Sequence, residues 1–149
     1  MPAALIRNAR IRAEGTRNLI EAIRPIDLER FLVQSIAFTY PEGPLPHTET
    51  EPNGTESLRE FETMALDNSA NTRIMRYGRF YGSGTGVEKL TTPCRVHVEA
   101  AAWACYLLLS EGIGPIYNIC EDSEYASNQR ILADTTWNPD FRMGMVGLS

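Results

Sequence analysis

Leu5, Ala9, Ala13, Thr16, Ile20 and Ile23 recur at three- and four-residue spacing, the period of one helical face. They predict a helix over residues 2–24, which Pro25 ends. Residues 31–38 (Phe31, Leu32, Val33, Gln34, Ser35, Ile36, Ala37, Phe38) form an almost continuous run of branched and aromatic side chains. Such a run predicts a strand buried on both faces, as in a parallel sheet. Ser57 and Glu60 have capping-box spacing, and Leu58, Phe61 and Ala65 continue a second helical face to Asn68. Residues 73–81 read as a second strand that closes on Gly82-Ser83-Gly84-Thr85-Gly86. Val98, Ala101, Ala102, Cys105, Leu108 and Leu109 share a third helical face, stopped by Gly112 and Gly114. Residues 116–120 make a short third strand, and a weaker helix follows at 128–134.

The order is therefore α-β-α-β-α-β-α. Strands alternating with helices imply parallel strands joined by right-handed crossovers, whose outer members keep unpaired edges. The expected fold class is α/β, a truncated Rossmann-like domain with about three parallel strands and flanking helices. It spans residues 1–138, with a loosely ordered tail over 139–149. Residues 41–55 hold four prolines and two glycines among acidic residues and read as a long surface loop. Within that loop His47 stands near Glu49 and Glu51 as a solvated residue rather than a metal ligand, and Asn53-Gly54-Thr55 is a turn. No metal site is expected.

Composition narrows the function classes. Apolar residues make up 43% and charged residues 22%, and the net charge is −5. The arginines are scattered, so neither a nucleic-acid stripe nor an acidic tail is present. Charge enters the first dozen residues too early for a signal peptide, and the apolar run 100–109 is too short to span a membrane. Three cysteines without a Cys-x-x-Cys pair fit a reduced, cytoplasmic protein.

Five segments, in order, resemble the extended short-chain dehydrogenase/reductases, the NAD-dependent epimerase/dehydratases. Residues 8–22, with Gly15-Thr16-Arg17-Asn18-Leu19, are similar to the helix before that family's serine-bearing strand, and residues 30–37 to the strand itself. Arg76-Tyr77-Gly78-Arg79-Phe80-Tyr81-Gly82-Ser83-Gly84-Thr85 resembles the strand end that faces the nicotinamide. His97-Val98-Glu99-Ala100-Ala101 and Ile116-Tyr117-Asn118-Ile119 match two further landmarks. The resemblance covers the chain up to about Asp122 and corresponds to the second half of the family's Rossmann domain. The first half, with the Gly-rich turn that receives a pyrophosphate, has no counterpart here.

The resemblance implies an oxidoreductase using NAD(P) on a small carbonyl or hydroxyl compound. It places the substrate-binding serine at Ser35, and cofactor contacts at Tyr77, Gly78 and Arg79. It places the catalytic tyrosine at Gly54 and its lysine at Leu58, so both are lost. The chain's only lysine is Lys89, with Thr85 four residues before it, and no alignment restores a Tyr-x-x-x-Lys pair. Tyr40, Tyr77 and Tyr81, near carboxyl ends of strands, are the candidates to replace the acid, with Arg76 or Arg79 as the nearby cation. Ser35, Tyr40 and Tyr81 are the residues expected to carry the catalysis. Gly82-x-Gly84-x-Gly86 lacks the spacing of a dinucleotide loop, and Glu121 and Asp122 lie too far downstream for the ribose acid. His97 is expected to cap its helix or to pack against it. Two other readings are a non-catalytic homo-oligomeric remnant of the same fold, with a homodimer covering its exposed faces, and a frame opened at an internal methionine.

Overall fold

In a computed structural model, residues 2–68 and 71–145 are described. Helix α1 (Ala3–Ile23) holds Ala9, Ala13, Thr16 and Ile23 half-buried and Ile20 buried, the face expected from their spacing. It packs on α2 (Glu56–Asn68), with the Arg12 guanidinium 5.8 Å from the Phe61 ring. Leu5, expected on that same face, is 55% exposed, and Ile6, Ile11 and Leu19 are also open, Ile11 being 61% exposed.

Strands β1 (Phe31–Ile36), β2 (Thr72–Tyr77) and β5 (Ile116–Ile119) form a parallel sheet in the order β1-β2-β5. With the flanking helices this is a truncated Rossmann-like α/β arrangement. Two expectations about strands need correcting. The strand buried on both faces is β2, which lies in the middle. β1 is an edge strand with Gln34 exposed, because its run of apolar residues says nothing about its rank in the sheet. The single strand read over 73–81 is broken at Gly78, after which β3 (Arg79–Tyr81) leaves the sheet to pair with β4 (Arg95–His97). A Cβ on Gly78 would lie 2.7 Å from the Cys94 carbonyl oxygen, so only glycine lets the two backbone segments cross there.

Alternation along the strands separates two cores. Val33 and Ile74 pack under Leu58, Phe61 and Ala65 of α2. Met75, Tyr77, Tyr117 and Ile119 face the other way, onto α3 (Val98–Leu107) and Ile131 of α4 (Gln129–Asp134). His97 caps α3, its Nδ1 accepting from the Glu99 N–H at 3.3 Å, and Gly112 at φ +84 follows the helix, as expected. Of the expected tail, residues 139–145 lie along α3: Phe141 stacks on Trp103 with centroids 4.7 Å apart, and a short 3-10 turn covers Met143–Met145. Residues 146–149 fall outside the described residues.

The 41–55 segment is a loop exposed over most of its length, as expected, but the solvated reading of His47 needs correcting. His47, Glu49 and Asn53 are buried. The Glu49 carboxylate accepts the N–H of Asn118 in β5 at 2.9 Å, and the His47 backbone bridges Ala126. A segment rich in proline and acid looks solvated only until its partners are known. For Glu49 that partner, Asn118, lies 69 residues downstream.

Candidate functional site

Ser35, Arg76 and Asn118 are register partners on adjacent strands and form a polar row across the α2 side of the sheet. A row of polar groups out of water has to be paired. Arg76 grips Glu62 of α2 with two bonds, Nε to Oε1 at 3.0 Å and Nη2 to Oε2 at 2.6 Å. The Ser35 hydroxyl donates to the same carboxylate at 2.6 Å. Tyr40 closes the row, donating to Asn118 at 2.7 Å and accepting from Arg76 Nη1 at 2.9 Å. The Asn53 side chain donates to the Ile36 carbonyl and accepts from Thr39, sealing the top. Burial pushes Tyr40 up to about 12, against the pull of Arg76. For Arg76 burial acts downward, but Glu62 and Tyr40 raise it above the ordinary value overall. Ser35 and Tyr40, expected at the site, thus sit together inside a closed network.

The same layer explains why the family's pair has no place. A Cβ at Gly54 would stand 1.8 Å from the Thr39 carbonyl oxygen, so no tyrosine fits where the resemblance puts one. Leu58, at the lysine position, is buried under the sheet. Core packing occupies both positions. His47, expected in solvent, stacks on Tyr40 with centroids 4.9 Å apart and bonds Glu51 at 2.9 Å. The Thr48 N–H and then His47 hold the Glu51 carboxyl below its usual range.

Tyr77, Gly78 and Arg79 are brought near one another only in sequence. The Tyr77 hydroxyl donates to the Ala101 carbonyl at 3.0 Å inside the core, and burial raises it far above the ordinary phenol. Gly78 serves the chain crossing. Arg79 is exposed, with its guanidinium 4.1 Å from the Phe38 ring.

Tyr81 differs from the other two tyrosines. It ends β3, is half-buried, and its hydroxyl donates to Glu121 in a short bond. Arg142 Nη2 reaches the phenol oxygen at 3.3 Å, and Arg95 Nε holds the other Glu121 oxygen at 2.8 Å. The His97 ring meets Tyr81 edge-on at 5.1 Å, and its Nε2 would lie 2.4 Å from a Cβ at Gly82, which therefore stays glycine at φ +109. Partial burial, then Glu121, raises the Tyr81 pKa. Such a phenol keeps its proton at neutral pH and has a cation beside the oxygen on which charge develops when the proton leaves. Arg95 and Arg142 were missed in the sequence because nothing near them in the chain points to Tyr81, 61 residues from Arg142.

The Gly82–Val87 loop closes on itself through Gly82 N–H to Val87 O at 2.8 Å, and α3 begins only at Val98. Among the described residues no Gly-rich strand-to-helix turn offers N–H groups to a pyrophosphate, so these residues do not fit a whole dinucleotide. No group of three or more His, Cys, Asp or Glu among them would hold a metal ion. No helix among them is long and apolar enough to cross a membrane.

Over 97 residues the chain is 34% identical to a 3-diazoavenalumate denitrifying reductase of a Streptomyces species, a match covering 57% of this chain and 32% of the relative. The chain spans about a third of the length of the curated relative it matches. No family model matches the sequence, and no solved structure matches it.

Proposed function

We propose that the chain is an atypical NAD(P)-dependent oxidoreductase, similar to the epimerase/dehydratases, that acts in the cytoplasm on a small carbonyl or hydroxyl compound. The observation that carries this reading is the 34% identity to a reductase, and the Rossmann-like parallel sheet agrees with it. Tyr81 takes the part of the missing tyrosine. It gives its proton to the substrate oxygen, Arg142 stabilises the phenolate left behind, and Glu121 with Arg95 orients the ring. A positioned acid of this kind contributes roughly 100-fold or more in rate. The cofactor site is built without a Gly-rich turn, from residues of both copies across a homodimer interface. Titration of the protein with NADH and with NADPH, followed by cofactor fluorescence, tests the reading; no binding at millimolar cofactor ends it.

A second reading rests on α1. Leu5, Ile6, Ile11 and Leu19 leave large apolar side chains open around a helix with one buried residue, Ile20. Open apolar side chains of this kind suit a non-catalytic homo-oligomer of the same fold, in which a second copy covers them. Sedimentation of a stable monomer that binds no cofactor removes both readings.

A further inference from the structure

The outer face of α3 carries a groove that the proton donor does not use. Val98, Ala102, Trp103 and Tyr106 follow one another at helical spacing along it. Phe141 and Met143 form the facing wall of a space of about 420 Å3. Phe141, Trp103 and Tyr106 make one column of parallel rings, with centroids 4.7 and 5.1 Å apart and planes within 10° and 16°. The last ring of the column, Tyr106, is 62% exposed. Aromatic rings gain by offset stacking beyond the area they bury, so an open end ring offers a flat ligand a ready face.

Polarity restricts what enters. The one charged group on the lining is Glu99, and its Oε2 already accepts the Met143 N–H at 2.9 Å, holding the wall in place. Nothing else there pairs with a charged ligand part. Size argues for a small molecule: ligand sites run from roughly 300 to 1,000 Å3, while a stable protein interface buries about 800 Å2 on each side. Tyr81 does not line the groove but is tied to residues at both of its walls. His97, which caps α3, packs against the Tyr81 ring, and Arg142, between Phe141 and Met143 in sequence, donates to the Tyr81 hydroxyl. From Val98 to Tyr106 the helix rises about 12 Å, the length of a fused bicyclic ring with a short arm.

We propose that this groove binds a flat aromatic small molecule, its rings against the Trp103–Tyr106 column and its polar end towards the Tyr81 hydroxyl. The direction of the polar end rests on Tyr81 being the proton donor; the binding of the rings does not. Saturation-transfer NMR on the full chain, without cofactor, compares 2-acetylnaphthalene with cyclohexyl methyl ketone, a saturated compound bearing the same carbonyl. The naphthyl ketone binds at least ~10-fold tighter, with transfer strongest to its ring protons. Tyr106→Ser weakens binding about 10-fold, Tyr106→Phe keeps it, and Ala102→Glu, which puts a charge into the groove, abolishes it. Both positions are exposed, and circular dichroism confirms that the variants fold. Equal affinity for the two ketones, or full binding by Ala102→Glu, overturns the proposal. So does a groove found filled by a second copy, seen as binding only on dilution to monomer. Adding NADH separates the two ideas. Aromatic binding without reduction removes the reductase reading alone, and reduction at an unchanged rate in Ala102→Glu removes the groove alone.

Discussion

Two clusters in this chain use the same three residue types, a tyrosine, an arginine and a glutamate, with opposite exposure. In the first, Tyr40, Arg76 and Glu62 lie between the sheet and α2, with Arg76 only 2% exposed. Every donor of that guanidinium that the pairing describes meets a carboxylate, a phenol or the Glu51 carbonyl. In the second, Tyr81, Glu121, Arg95 and Arg142 stand at the rim, and the Arg95 side chain is 37% exposed. The difference teaches that residue type does not settle role. A sealed cluster holds elements together, because any change of charge inside it meets a low dielectric and no water. An open one exchanges protons with whatever arrives.

The largest effect that breaks this comparison is expected at Arg76. Arg76→Met leaves the Glu62 carboxylate buried without its cation and lowers stability by about 3–5 kcal/mol. Guanidinium unfolding followed by circular dichroism measures the loss; a loss under about 1 kcal/mol contradicts a sealed lock. Next comes Tyr81→Phe. Removal of a hydroxyl at the rim changes stability by no more than about 1 kcal/mol, while NAD(P)H-dependent turnover falls about 100-fold in kcat/KM. A variant with full turnover shows that Tyr81 is not the acid.

How much of this was legible follows from the range of each signal. Helical faces such as Ala9, Ala13, Thr16 and Ile20 are local and were readable, as were the apolar cores of β1, β2 and β5. The three-residue strands β3 and β4 are too short for a period to declare itself, and Gly78 marks their departure only once Cys94 is seen against it. Ser35 and Tyr40 were recognised as notable, but their closure depends on Glu62 and Asn118, 27 and 78 residues away. The lost Tyr-Lys pair could be counted in the sequence. That Gly54 and Leu58 are needed for packing could not.

A third test separates the tyrosines by pH. Free tyrosine loses its proton near ~10. Burial holds Tyr40 to about 12, and it raises Tyr77 and Tyr117 in the same direction. Between those values the unfolded chain has released protons that the folded chain keeps, so stability falls as pH rises from ~10 towards ~12. Tyr40→Phe costs about 1–3 kcal/mol at pH 8, where two buried partners lose their bond, and makes the alkaline fall shallower. Unfolding midpoints at pH 9 and 11 check both parts; a slope identical to that of the parent places Tyr40 in contact with water.

The smallest effect sharpens the comparison most, because it sets the same kind of ion pair in the open. Arg95 Nε and Glu121 Oε2 are 2.8 Å apart, close to the 2.6 Å of Arg76 and Glu62, so distance alone predicts equal worth. Exposure does not: water and salt screen the outer pair, and holding the long side chain still costs entropy. Arg95→Met is therefore expected to change stability by less than about 1 kcal/mol, and still less in 1 M salt. Its imprint falls on Tyr81 instead. Without Arg95 the Glu121 carboxylate carries its charge undivided beside the phenol, so Tyr81 releases its proton at a higher pH than in the parent. Ultraviolet titration of the parent and of Arg95→Met, each subtracted from its Tyr81→Phe counterpart, measures that shift. A shift downward, or a stability loss as large as that of Arg76→Met, shows that the rim cluster is sealed like the inner one.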